Sequence, residues 1–107
     1  MHWNEHEQFA VTLLKEKIQQ MDGSSQIILF GSKARGDDDA DSDIDILVLT
    51  DLAVDHKLEI AMRAIAFNIE LQYDVIFGLV VMNRTFWDTK GRGMPLHWNI
   101  DKEGVAV

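Results

Sequence analysis

The sequence predicts a single α/β (α+β) domain with a short mixed sheet flanked by helices. Segments with helical periodicity alternate with short strand-like runs along the chain. Two of those runs, QIILF and IDILVL, are almost wholly apolar, as in strands covered on both faces. The chain has 107 residues and 47% apolar content, enough for one modest core. No internal repeat, low-complexity tract or linker divides it, so one domain over 1–107 is expected.

Each element has a local justification. Over residues 5–21, Phe9, Ala10, Leu13, Leu14, Ile18 and Met21 recur at helical spacing, and Asp22-Gly23-Ser24-Ser25 closes the run. Gln26–Phe30 is the first strand, broken by Gly31-Ser32, and Lys33–Gly36 suits a short helical turn. Ile44–Leu49 is the second strand. Asp55–Glu70 is a helix, with Leu58, Ala61, Met62, Ile65, Ala66 and Ile69 on one face. Leu71–Phe77 is expected as a third strand, extended or followed closely by Leu79–Met82. Asn83 can cap a helix over Arg84–Thr89, and Gly91-Arg92-Gly93 reads as a loop. Pro95 opens a final helix over Leu96–Glu103, ended by Gly104.

Charge and composition narrow the function. Net charge is −8, and phosphate binding rests on Lys and Arg, so independent nucleic-acid binding is disfavoured. There is no cysteine, hence no disulfide framework or thiolate metal site. No apolar run approaches the roughly 20 residues needed to span a bilayer, and the polar start MHWNEHEQ is unlike a signal peptide. These features together predict a cytoplasmic protein.

The chemistry concentrates in GSKARGDDDADSDIDILVL, where six aspartates fall between Asp37 and Asp45. Repulsion and desolvation oppose such crowding. Asp37–Asp41 reads as a solvated loop. A calcium loop begun at Asp37 needs Gly at 42 and Glu at 48; the chain has Ser42 and Val48. Asp43 and Asp45 stand at i and i+2 of a strand, on the same face and roughly 6.5 Å apart. A hard cation such as Mg²⁺ would offset their repulsion. Gly31-Ser32 follows the preceding strand and offers backbone N–H groups and a hydroxyl to a phosphate, with Lys33 and Arg35 nearby as either countercharges or solvent-facing residues.

Asp74 interrupts the apolar run LQYDVIF. If that strand lies beside Ile44–Leu49, Asp74 joins Asp43 and Asp45, and three carboxylates suit two metal ions about 4 Å apart. Otherwise Asp74 caps an edge or pairs with Arg63 or Arg84. His2 and His6 lack metalloprotease order and belong to the terminus, while Trp3, Phe86, Trp87 and Trp98 read as core or partner contacts. Tyr73 reads as a packed strand residue.

Gly31-Ser32, ten residues, then Asp43-x-Asp45 resembles the signature of the DNA polymerase β-like nucleotidyltransferases. The fuller GSKARG…SDIDILV is similar to the minimal nucleotidyltransferases, as is the ending Asn99-Ile100-Asp101-Lys102-Glu103-Gly104-Val105. Asp74 in YDVI matches the family's third acidic strand residue, and Lys33 stands where an arginine is common. The resemblance implies a single-domain nucleotidyltransferase fold and two Mg²⁺ ions bound by Asp43, Asp45 and Asp74. It implies that Asp74 is also the base toward the acceptor hydroxyl. Gly31, Ser32, Lys33 and Arg35 would hold the phosphates of ATP. It further implies transfer of AMP to a tyrosine of a helical HEPN-domain toxin, with this chain as antitoxin in a hetero-oligomer; a homo-oligomer is the other assembly considered. Two alternatives stand beside it: a catalytically silent antitoxin that acts by binding, and an enzyme acting on a small-molecule or RNA hydroxyl.

Overall fold

A computed structural model describes residues 4–36 and 42–107. The aspartates Asp37, Asp38, Asp39 and Asp41, with His2 and Trp3, lie outside the described residues. Helix α1 spans Glu5–Met21, strand β1 Gln26–Phe30, α2 Gly31–Arg35 and β2 Ile44–Thr50. Then come α3 over His56–Tyr73, β3 over Phe77–Asn83, α4 over Arg84–Asp88, α5 over Pro95–Glu103 and β4 over Val105–Ala106. A 3-10 turn, Lys90–Gly93, replaces the expected glycine loop.

The helix starts follow side-chain chemistry. Asn4 accepts the Glu7 N–H while Glu7 accepts the Asn4 N–H, a reciprocal capping box on α1. Asp55 caps α3 through the Leu58 N–H, and Asn83 caps α4 through that of Phe86.

The sheet order is β3-β2-β1-β4. β1 runs antiparallel to β2 and β4, while β2 and β3 are parallel, joined by α3. The mixed sheet expected from sequence is therefore present. Strand alternation sends Ile27, Leu29, Ile44, Ile46, Val48, Phe77, Leu79 and Val81 toward α1 and α3. Leu47 and Leu49 point the other way, into a second cluster with Trp87 of α4 and Ile100 of α5. β2 is thus covered on both faces, which is why its sequence is continuously apolar past Asp45.

The strand expected over Leu71–Phe77 is a correction. α3 continues to Tyr73, whose ring packs edge-on against His6 of α1 at 5.6 Å. Tyr73 prolongs the stripe of Ile65 and Ile69 by one more four-residue step, so helical packing holds the segment. Asp74 then ends the helix in the left-handed region, φ 54 and ψ 49, its N–H donating to the Glu70 carbonyl. The third strand begins only at Phe77. The closing residues Val105–Ala106, beyond the last expected element, add a short edge strand.

Candidate active site

The β1–β2 register sets Phe30 opposite Asp45, so the Gly31-Ser32 turn leaves β1 beside the carboxylate at the start of β2. Gly31 has φ 77, a conformation that glycine adopts without a Cβ clash. On the other side, Asp45 pairs with Gly78 of β3. Asp43 lies just ahead of β2 and is exposed. Burial raises the Asp45 pKa from its ordinary 3.8, and the Asp43 and Glu103 charges push the same way against the pull of Arg35. A half-buried carboxylate with a second one two residues away, beside a glycine-serine turn, fits a divalent cation shared with a phosphate.

Glu103, at the end of α5, had no marked role in the sequence. Its Oε1 accepts the Gly31 N–H at 3.2 Å, and its Oε2 pairs with Arg35 Nη1 at 3.0 Å. The C-terminal helix therefore holds both the turn and its arginine. No local pattern announces this, because the partners are about 70 residues apart in sequence.

Two expected site residues are placed elsewhere. Lys33, expected at a phosphate, is 2% exposed, with Nζ 2.6 Å from Glu7 Oε2 inside the fold. It sits on the inward side of α2, where burial demands a counterion. Asp74 ends α3, on the sheet face that α1 and α3 cover, and lines a cleft with Asn4, His6, Ser42 and Ile44. Asp45 projects to the opposite face, with Leu47 and Leu49. The expected meeting of Asp74 with Asp43 and Asp45 is thus not realised, since the helix extends past the point where a strand was to start. Nor does Arg84 reach Asp74; it pairs with Asp51 at 2.9 Å. Among the described residues, no group of three His, Cys, Asp or Glu side chains is placed to hold a metal ion. Among the described residues, Asp43 and Asp45 fit one cation, and Asp74 is not placed to join them in a two-ion, three-carboxylate arrangement.

The aromatic residues divide. Trp87 is core, stacked on His97 at 4.3 Å, whereas Phe86 and Trp98 are exposed and the Trp98 ring carries Lys102 Nζ at 3.7 Å. No helix among the described residues is long and apolar enough to cross a membrane.

A carboxylate pair beside a glycine-serine turn, at the ends of neighbouring strands of a mixed sheet, suits a class of enzymes that handle activated phosphate. Residues 11–92 match the nucleotidyltransferase domain family, and the chain belongs to that family. It is similar to "Putative protein adenylyltransferase MJ0141" of Methanocaldococcus jannaschii, 35% identical over 69% of each chain. A second protein of that organism, "Putative protein adenylyltransferase MJ0604", is 34% identical over 77% of this chain and 76% of its own. Among solved structures, a mutant of the toxin-antitoxin MntA-HpeT superposes with a TM-score of 0.61 at 26% identity, covering 99% of this chain and 72% of the other. The chain is an enzyme of the nucleotidyltransferase kind, as the sequence motifs led one to expect.

Proposed function

We propose that this chain transfers AMP from ATP to a protein hydroxyl, a tyrosine of a helical HEPN-domain toxin, and so acts as an antitoxin in the cytoplasm. The observation that carries the reading is the placement of Asp45 between the Gly31-Ser32 turn and β3, with Asp43 beside it. The adenylyltransferase names of the two archaeal relatives support ATP as donor and a protein as acceptor. The MntA-HpeT likeness supports a toxin as partner.

In this reading Asp43 and Asp45 would hold Mg²⁺, which would supply neutralisation of the phosphate charge. The Gly31-Ser32 turn cradles the outer phosphates, and Glu103 keeps Arg35 beside them. The acceptor oxygen bonds to the α-phosphorus as the bond to the bridging oxygen breaks. Pyrophosphate leaves with that electron pair, and the acceptor proton passes to solvent. Asp74, on the other face, has no part in these steps.

Labelled ATP, Mg²⁺ and the neighbouring gene's product test this directly. Label should appear on the partner and vanish with Asp43→Ala or Asp45→Ala. A second reading, an antitoxin that acts by binding alone, is favoured by one observation: β3 presents Gly78, with no side chain, opposite Asp45. Inhibition of the partner without label, surviving both alanine variants, would select it.

A further inference from the structure

Asp45 lies between two glycines. An ideal Cβ on Gly78 would stand 2.5 Å from Asp45 Oδ1, and one on Gly31 would stand 2.2 Å from Oδ2. Both distances are well inside contact, so each carboxylate oxygen fills the space that a side chain would take. The two glycines come from different parts of the fold. Gly31 opens α2 directly after β1 and is held by Glu103 through its N–H; Gly78 is fixed by the parallel β2–β3 register. A methyl group at 78 would meet Oδ1 and push the carboxylate out of the direction it takes between the two glycines.

We propose that Gly78 is a positioning residue: β3 forms one wall of a side-chain-free slot, Gly31 forms the other, and the slot sets the direction of the Asp45 carboxylate. β3 is thereby a wall and not a ligand donor. A carboxylate added at 78 would displace Asp45 instead of completing its site. The role of the slot in cation binding rests on the function proposed above; the slot itself does not.

Two measurements separate these levels. Thermal melting without ligand compares the unmodified chain with Gly78→Ala, Asp45→Ala and the double variant. With Asp45 present, Gly78→Ala should lower the melting temperature by a few degrees. With Ala at 45 the same change should leave it unchanged or raise it, because alanine is favoured over glycine in a strand. Equal shifts in both backgrounds would overturn the slot. If Gly78→Ala fails to fold, recovery of folding in the double variant supports the slot and continued failure overturns it.

Mn²⁺ titration, followed by electron paramagnetic resonance in the presence of a non-hydrolysable ATP analogue, gives the second readout. Gly78→Ala should weaken Mn²⁺ binding about tenfold or more, the usual range for residues that orient a ligand. Gly78→Asp should weaken it as well, despite the added charge. Tighter binding by Gly78→Asp would overturn the wall and make position 78 an empty ligand seat. Absence of Mn²⁺ binding by the unmodified chain would overturn the cation reading, while the melting cycle still decides the slot.

Discussion

Lys33 on α2 and Glu7 on α1 form an ion pair of 2.6 Å in the interior, and the same Glu7 closes the capping box of α1. One carboxylate thus ties the start of the first helix to the underside of the turn that carries the candidate phosphate site. Removing the cation leaves the largely buried Glu7 charge without its counterion, a loss typically of about 3 kcal/mol. Lys33→Met should therefore destabilise the fold by about that amount in urea denaturation, and pairing it with Glu7→Gln should recover part. Were Lys33 a phosphate ligand, the single variant would instead weaken nucleotide binding at full stability.

Asp74 ends α3 at φ 54, where a glycine has no Cβ penalty. Asp74→Gly should raise stability by about 0.5–1 kcal/mol and leave AMP transfer unchanged. Denaturant midpoints and the labelling assay check both halves. A tenfold loss of transfer at full stability would return Asp74 to the site.

Asp22 anchors the far end of the sheet. Its carboxylate accepts the Ser24 N–H at 3.0 Å, the Ser24 hydroxyl at 2.7 Å, the Ser25 hydroxyl at 2.9 Å and the Thr50 hydroxyl. Burial acts to raise its pKa, but these four bonds outweigh burial and hold it below 3.8. The sign follows from the depressed value in the folded state. The stabilisation is fully present above the unfolded pKa, about 4, and is lost as pH falls through the folded value. Asp22→Asn should cost about 2 kcal/mol at pH 7, and should flatten the acid limb of stability below about pH 4. Chemical denaturation across pH 2–7, with and without the substitution, would reveal an unchanged acid limb if the network were unimportant.

Glu103 offers a fourth test. Glu103→Ala releases the Gly31 N–H and Arg35, so amide exchange at Gly31 should accelerate and stability should fall by about 1 kcal/mol. Transfer should fall about tenfold through a misplaced turn. Glu103→Gln keeps an oxygen for the Gly31 N–H and should restore the exchange protection more than the rate. Wild-type exchange in Glu103→Ala would refute the link between α5 and the turn.

Much of the architecture was legible in local patterning. The Ala10–Ile18 and Leu58–Ile69 stripes mark amphipathic helices, although Phe9 and Met21, expected on the first stripe, are exposed, and the unbroken ILVL of β2 marks a strand between two layers. The seat of Asp45 on β2, with Asp43 just ahead of it, was equally plain, because strand geometry depends only on neighbours in the chain. The segment 71–77 was not. Its apolar residues suit strand or helix over so short a run, and packing of Tyr73 against α1 resolved it toward helix.

Spacing along the chain told which residues sit near one another on a single element, since backbone periodicity is local. It was silent on what crosses between elements. Folding turned Lys33 inward onto Glu7, carried Asp74 to the face away from Asp45, brought Glu103 onto Gly31, and set Gly78 against the Asp45 carboxylate. Those outcomes depend on strand register, helix length and burial summed over the whole domain, and no short window of residues contains that sum.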